Sequence, residues 1–191
     1  MKIIALAVCI FSVVAPAYGH IAKFKSEKVG VTINSDGASV NGVYWMKAQR
    51  SPARLNIFYP FLKGRWNFPE NVKASSISQS GNISELKVMV SPDSNGVYFD
   101  LVFPDTFLLR LQVSYQQALK GNEFCYVLKS TQEWGLPLEQ AEFEISIPVN
   151  LKRQNLNYKP DSIIIKEERF IYKIIRKSFL PKEDLWIRWE K

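Results

Sequence analysis

From Val97 to Phe103 every second residue is large and apolar: Val97, Phe99, Leu101 and Phe103. The same period of two returns in Phe107, Leu109, Leu111, Val113 and Tyr115, in Phe143, Ile145 and Ile147, and in Leu185, Ile187 and Trp189. Successive side chains of a β-strand point to opposite faces, so this pattern marks strands that bury one face. No stretch sustains a 3.6-residue period, and Ser114 to Lys120 offers at most a brief helical turn. Turn-forming clusters separate the strands: Asn34-Ser35-Asp36-Gly37, Pro92-Asp93-Ser94-Asn95-Gly96, Pro104-Asp105 and Gly121-Asn122. The Asp-Gly pair tolerates the positive φ that a tight hairpin uses. Further strands are expected at 29–33, 38–46, 54–59, 86–90, 123–129, 163–165 and 169–177. Residues 63–80 read as a looser connection, and Trp134 to Pro137 as a loop. About ten short strands without intervening helices predict an all-β fold, an antiparallel β-sandwich of the immunoglobulin-like or a related kind.

The chain opens with Met1-Lys2, an apolar run from Ile3 to Val14, and then Ala17-Tyr18-Gly19. A positive start, a short apolar segment and a small-x-small triplet are the parts of a secretory signal peptide. Residues 1–19 are therefore expected to be removed between Gly19 and His20. The apolar run is shorter than the roughly 20 residues that cross a bilayer, and no second such run follows, so no membrane span is expected after cleavage. Leu6-Ala7-Val8-Cys9 resembles a lipoprotein box, but Val8 is bulky where a small residue is wanted. The remaining chain, 20–191, suits one sandwich domain or two tightly packed sub-domains. Cys9 would leave with the signal, so Cys125 has no partner for an internal disulfide. Lying between Phe124 and Tyr126, it reads as a structural thiol.

The net charge is +7. Residues 150–191 hold 11 Lys or Arg against 6 Asp or Glu, interleaved along the segment. A mixed-charge solvated surface explains this better than a basic patch, and no nucleic-acid partner is expected.

Catalytic and metal signatures are weak. His20 is the single histidine. As a new N-terminus it could chelate copper, but such sites commonly use a second imidazole. The same shortage argues against a triad built on serine or cysteine. No Gly-rich phosphate loop and no Cys-x-x-Cys spacing is present. Glu133, Glu139, Glu142 and Glu144 are candidates for a glycosidase pair, yet Glu142 and Glu144 alternate with core positions and should face water. No catalytic residue, metal site or cofactor is therefore expected. Aromatic side chains are 13% of the chain. Alternation assigns Trp45 and Trp189 to the core, whereas Trp66 and Trp134 lie beside Gly and Pro in loops and are the candidate ligand-contact aromatics. Tyr59-Pro60-Phe61 shares that ambiguity. Asn82-Ile83-Ser84 is a glycosylation sequon, meaningful only in a eukaryotic secretory pathway.

The segments Tyr126-Val127-Leu128, Trp134-Gly135-Leu136-Pro137-Leu138 and Phe179-Leu180-Pro181-Lys182-Glu183-Asp184-Leu185 resemble secreted bacterial proteins that carry Tyr-x-Leu, Trp-x-x-Pro-Leu and Phe-x-Pro-x-x-Asp-Leu motifs. The resemblance spans roughly residues 110–190. It implies a sandwich-like fold and an envelope location, and it carries no activity and no functional residues. The resulting expectation is a non-enzymatic protein, periplasmic or extracellular, acting in envelope-associated binding or assembly with a protein or glycan partner. The alternative is a carbohydrate-binding module using Trp66 or Trp134.

Overall fold

The computed structural model describes residues 22–49, 52–62, 67–103 and 108–190. Residues 1–19, expected above to be a signal peptide, and His20, Trp66 and Phe107 lie outside the described residues.

Fourteen strands are described: β1 Ala22–Ile33, β2 Gly37–Ala48, β3 Ala53–Pro60, β4 Glu70–Ser78, β5 Ile83–Leu86, β6 Met89–Val90, β7 Gly96–Phe103, β8 Leu108–Ala118, β9 Glu123–Tyr126, β10 Leu138–Pro148, β11 Lys152–Leu156, β12 Ser162–Lys166, β13 Arg169–Phe179 and β14 Leu185–Glu190. They form one eight-stranded sheet, β12-β13-β10-β1-β2-β8-β4-β5, and two three-stranded sheets, β11-β14-β9 and β3-β7-β6. Side chains from all three sheets share one hydrophobic core. The fold is thus the all-β, sandwich-like architecture that the alternation predicts, with the large sheet as one layer and the two small sheets opposite it.

The alternating sets are the core. Val97, Phe99, Leu101 and Phe103 are fully buried, as are Ile145, Ile147, Leu185 and Ile187, and Leu109, Leu111, Val113 and Tyr115 are nearly so. The alternate positions of the same strands are mostly charged or polar and at least partly exposed, as at Asp100, Arg110, Gln112 and Arg188, with Val102 and Trp186 as apolar exceptions. Glu142 and Glu144 lie on the outer side of β10 and pair with Lys28 at 3.9 Å and Lys173 at 3.6 Å.

Several expectations change. Ser114 to Lys120 is not a helical turn: β8 runs on to Ala118 because its backbone pairs with β2 through Gly37↔Ala118. Residues 70–78 form a strand, β4, seated between β8 and β5. The 83–90 segment divides between the layers, β5 pairing with β4 and β6 with β7. The pair β1–β10 is parallel, an exception in an otherwise antiparallel set. The hairpin at Asn34–Gly37 forms, closed by Asn34 N–H donating to the Gly37 carbonyl at 2.8 Å, but neither Asp36 nor Gly37 takes a positive φ. In β2 the inward set is Val40, Tyr44 and Met46, so Trp45 is half-buried on the outer side while Trp189 is in the core. The apolar run Val43–Met46 offers two possible faces, and only pairing chooses between them.

Residues 123–129 are strand only as far as Tyr126. The chain then turns into a 3-10 helix, Lys129–Trp134, closed by Gly135 in the left-handed conformation at φ 70°. Asp184 organises this turn from the start of β14. Its carboxylate accepts N–H bonds from Leu128 and Lys129, both at 2.9 Å, and so supplies the N-terminal cap that Leu128 itself lacks.

Candidate functional site

Three sheets meet at three tyrosine hydroxyls. Tyr44 is on β2 of the large sheet, Tyr59 on β3 and Tyr126 on β9. The Tyr44 Oη lies 2.8 Å from that of Tyr59 and 2.7 Å from that of Tyr126, and the third side of the triangle is 3.3 Å. All three side chains are buried. A phenol has one proton to donate and lone pairs to accept, so the three can satisfy one another around the ring. Burial holds each of them well above the usual phenol range, and they stay neutral at physiological pH.

Each tyrosine is placed by ordinary strand parity, but Tyr44 needs one further condition. Gly42 precedes it by two residues on the same face. A Cβ at Gly42 would overlap the Tyr44 ring and hydroxyl, so the glycine is there for the close approach of that side chain.

Glu27 shares this interior. The register of β1 against β2 shifts between Phe24 and Ser26, leaving Lys25 as an extra residue. Such a bulge reverses the parity of the strand. Val29 and Glu27 point inward on one side of it, Phe24 and Ala22 on the other. Glu27 sits directly opposite Tyr44 on one flank and Ala141 on the other. It is 3% exposed, and its Oε1 has no hydrogen-bond partner. Desolvation pushes its carboxyl up to about 8, since a carboxylate without water or a donor is costly to bury.

Glu27 and the three-tyrosine cluster line a cavity of about 80 Å³ together with the buried Thr131, and the partly exposed Phe24, Phe58, Ser130 and Trp134 stand toward its rim. Trp134 is half-buried there, edge-on to Phe24 at a centroid distance of 5.9 Å. Phe24 is in turn tilted against Tyr44 at 5.8 Å. The 3-10 turn that Asp184 caps delivers Ser130, Thr131 and Trp134 to this place. A larger open groove, about 660 Å³, runs beside β4, β5 and β8 past Lys73, Glu85 and Gln112. It has no buried polar group awaiting a partner, and Glu27 makes the smaller cavity the candidate site.

Of the sequence candidates, Trp134 borders this cavity, and Trp66 lies outside the described residues. Glu133 is exposed, and Glu139 pairs with Lys25 at 3.1 Å on the surface. The carboxylates considered for glycoside cleavage thus do not face one another across a cleft. Among the described residues no group of three His, Cys, Asp or Glu is arranged to hold a metal, and no helix is long and apolar enough to cross a membrane. Cys125 is buried, and desolvation raises its thiol well above the usual range, the environment of an inert structural thiol. Glu27, Tyr44 and Tyr126 escaped the sequence reading. Two signals pointed to them: a lone glycine inside a strand at position 42, and a charged residue two positions before the apolar alternation of Val29, Val31 and Ile33.

No known family profile and no curated protein matches this sequence. Among solved structures, the chain is similar to a protein of Legionella pneumophila described as a "putative nutrient binding protein". The TM-score is 0.65 at 14% sequence identity, covering 90% of this chain and 67% of the other. At that identity the likeness concerns the fold.

Proposed function

We propose that this is an exported, non-enzymatic binding protein that takes up a small solute in the cavity at the junction of its three sheets. The observation that carries this reading is Glu27: a buried carboxyl with an unpartnered oxygen, beside clustered hydroxyls in an aromatic-walled cavity. Convergent polar groups in an apolar concavity are the usual form of a small-molecule site. The nutrient-binding description of the Legionella protein is in keeping with it, and the signal-like N-terminus supports export. The test is thermal denaturation of the chain starting at His20 against a panel of organic amines, amino acids, sugars and carboxylic acids. A ligand at about 100 times its Kd stabilises by about 2.7 kcal/mol, or roughly 5–10 °C for a chain of this size. One class is expected to raise the midpoint in this way, and Ser130→Trp, which blocks the rim without entering the core, is expected to remove the effect. A panel that shifts nothing, or a shift that survives Ser130→Trp, overturns the reading.

A second reading, assembly by strand addition between two copies, is favoured by β12. This strand is an edge of the large sheet, and Ile163, Ile164 and Ile165 are 55%, 47% and 68% exposed. An edge whose central residues are exposed and apolar is a template for pairing. Antiparallel pairing of β12 with its own copy about Ile164 would set Ser162 opposite Lys166 and isoleucine opposite isoleucine, with no like charges opposed within the strand. Sedimentation of the parent is expected to show concentration-dependent dimers, and Ile164→Lys to remain monomeric. A parent that is monomeric at high concentration removes this second reading.

A further inference from the structure

We propose that the cavity takes a small organic ammonium ion, with Glu27 as its carboxylate partner and the rings of Phe24, Tyr44, Tyr59 and Trp134 as its walls. This rests on the solute-binding reading above and names the ligand's chemistry.

The first argument is the balance of donors. The hydroxyls of Tyr44, Tyr59 and Tyr126 can close a ring among themselves at 2.7–3.3 Å. Each then uses its single proton within the ring, and none is left for Glu27. The Glu27 Oε1 consequently awaits a donor from outside the protein. Among the described residues lining the cavity there is no Lys, Arg or His, so no internal cation is available to compensate a carboxylate. A ligand that brings both a positive charge and N–H donors meets both needs, and charge-assisted bonds of this kind are the stronger ones.

The second argument is the wall. An aromatic face attracts a cation within about 6 Å of its centroid, more strongly where water is excluded. The neighbouring rings Trp134, Phe24, Tyr44 and Tyr59, with centroids 5.9, 5.8 and 5.9 Å apart, line the same cavity as Glu27 and supply such faces and edges to it. A metal ion would instead want several oxygen ligands, and one carboxylate among neutral phenols does not provide them. Size separates the remaining organic classes. About 80 Å³ accommodates a compact ammonium head with a short alkyl stem, whereas a pyranose is bulkier and its hydroxyls would meet tyrosine hydroxyls already engaged with one another.

Occupation would change the protonation of Glu27. In the empty protein the carboxyl is held mainly in its neutral form near pH 7 by desolvation. The groups facing it from β2, β3 and β9 are the hydroxyls of Tyr44, Tyr59 and Tyr126, with Tyr115 of β8 behind Tyr59, and all are neutral there. An arriving ammonium favours the carboxylate. The O–H bond of Glu27 breaks, its proton passes to solvent, and the ammonium keeps all of its own protons.

The experiment is calorimetric titration of the chain starting at His20, with n-butylammonium chloride and its neutral counterpart n-butanol, at pH 6.5 in two amine-free buffers of different ionisation enthalpy. Butylammonium is expected to bind at least tenfold more tightly than butanol, with a heat that depends on the buffer because up to one proton is released. Glu27→Gln is expected to remove both the preference and the buffer dependence, and Trp134→Ala to weaken butylammonium severalfold while leaving the proton release. Equal binding of butanol and butylammonium, or undiminished preference in Glu27→Gln, overturns the proposal. Should butylammonium fail while a sugar or a carboxylic acid binds in a manner blocked by Ser130→Trp, the ammonium assignment falls and the solute-binding reading stands. Should nothing bind in a manner blocked by Ser130→Trp, both fall.

Discussion

Removal of residues 184–191 is expected to leave the protein unfolded or aggregated. Leu185, Ile187 and Trp189 are buried at alternate positions of β14, and β14 is the central strand of its sheet, between β11 and β9. Burying a large apolar side chain contributes roughly 1.5–3 kcal/mol. Losing three of them therefore removes a large part of a net stability that is typically about 5–15 kcal/mol. The strand also takes its partners with it. β9 pairs with β14 through Phe124↔Ile187 and Tyr126↔Leu185 and has no other strand beside it among the described residues. Tyr126 would lose the scaffold that brings its hydroxyl to Tyr44. Asp184, which caps the 3-10 turn carrying Trp134, would go as well, so the truncation dismantles the candidate site together with the core. Circular dichroism and thermal melting of the truncated chain test this. Melting within a few degrees of the parent would show that the segment is an appendage.

Glu27→Gln is expected to make the ligand-free protein more stable above pH 5, increasingly so up to about pH 8. The folded-state carboxyl titrates near 8 against an ordinary value of 4.5. Between those limits the folded protein holds a proton that the unfolded chain has released, so the parent's stability falls as pH rises through this window and levels off above it. A shift of this size corresponds to on the order of 5 kcal/mol. Glutamine resembles the neutral carboxyl and has no charge to bury, so its variant avoids this loss. Below pH 4.5 the two proteins should converge. Asp100 and Asp161 act in a different range. Their carboxyls are lowered, by hydrogen bonds from Arg54 and Asn56 to Asp100 and from the Ile175 N–H to Asp161. Their contribution is present above the ordinary aspartate value and is lost as pH falls below it. Urea unfolding of parent and variant at pH 5 and pH 8.5 checks the expectation. Parallel pH profiles for the two proteins would mean that Glu27 is solvated or paired and would also remove the basis for an ammonium site.

The strand pattern was legible because it is local. Burial on one face forces alternation at Val97–Phe103, Leu109–Tyr115, Phe143–Ile147 and Leu185–Trp189, and those residues are the core wherever their strands are placed. Parity, however, says only that alternate residues share a face. It does not say which face is inside, and a single extra residue reverses it. The bulge at Lys25, which turns Glu27 and Phe24 into the same interior, and the choice of Tyr44 over Trp45 as the buried ring of β2 are both of this kind. The parallel pairing of β1 with β10 and the division of residues 83–90 between layers depend on partners far away in the chain, for which alternation carries no information. The site itself was therefore decided by tertiary structure. Tyr44 meets Tyr59 across 15 residues of chain and Tyr126 across 82, and each of the three comes from a different sheet. Apart from Gly42 beside Tyr44, nothing in the local sequence marks any one of them as different from another core tyrosine, because a hydroxyl acquires its meaning from the group it faces.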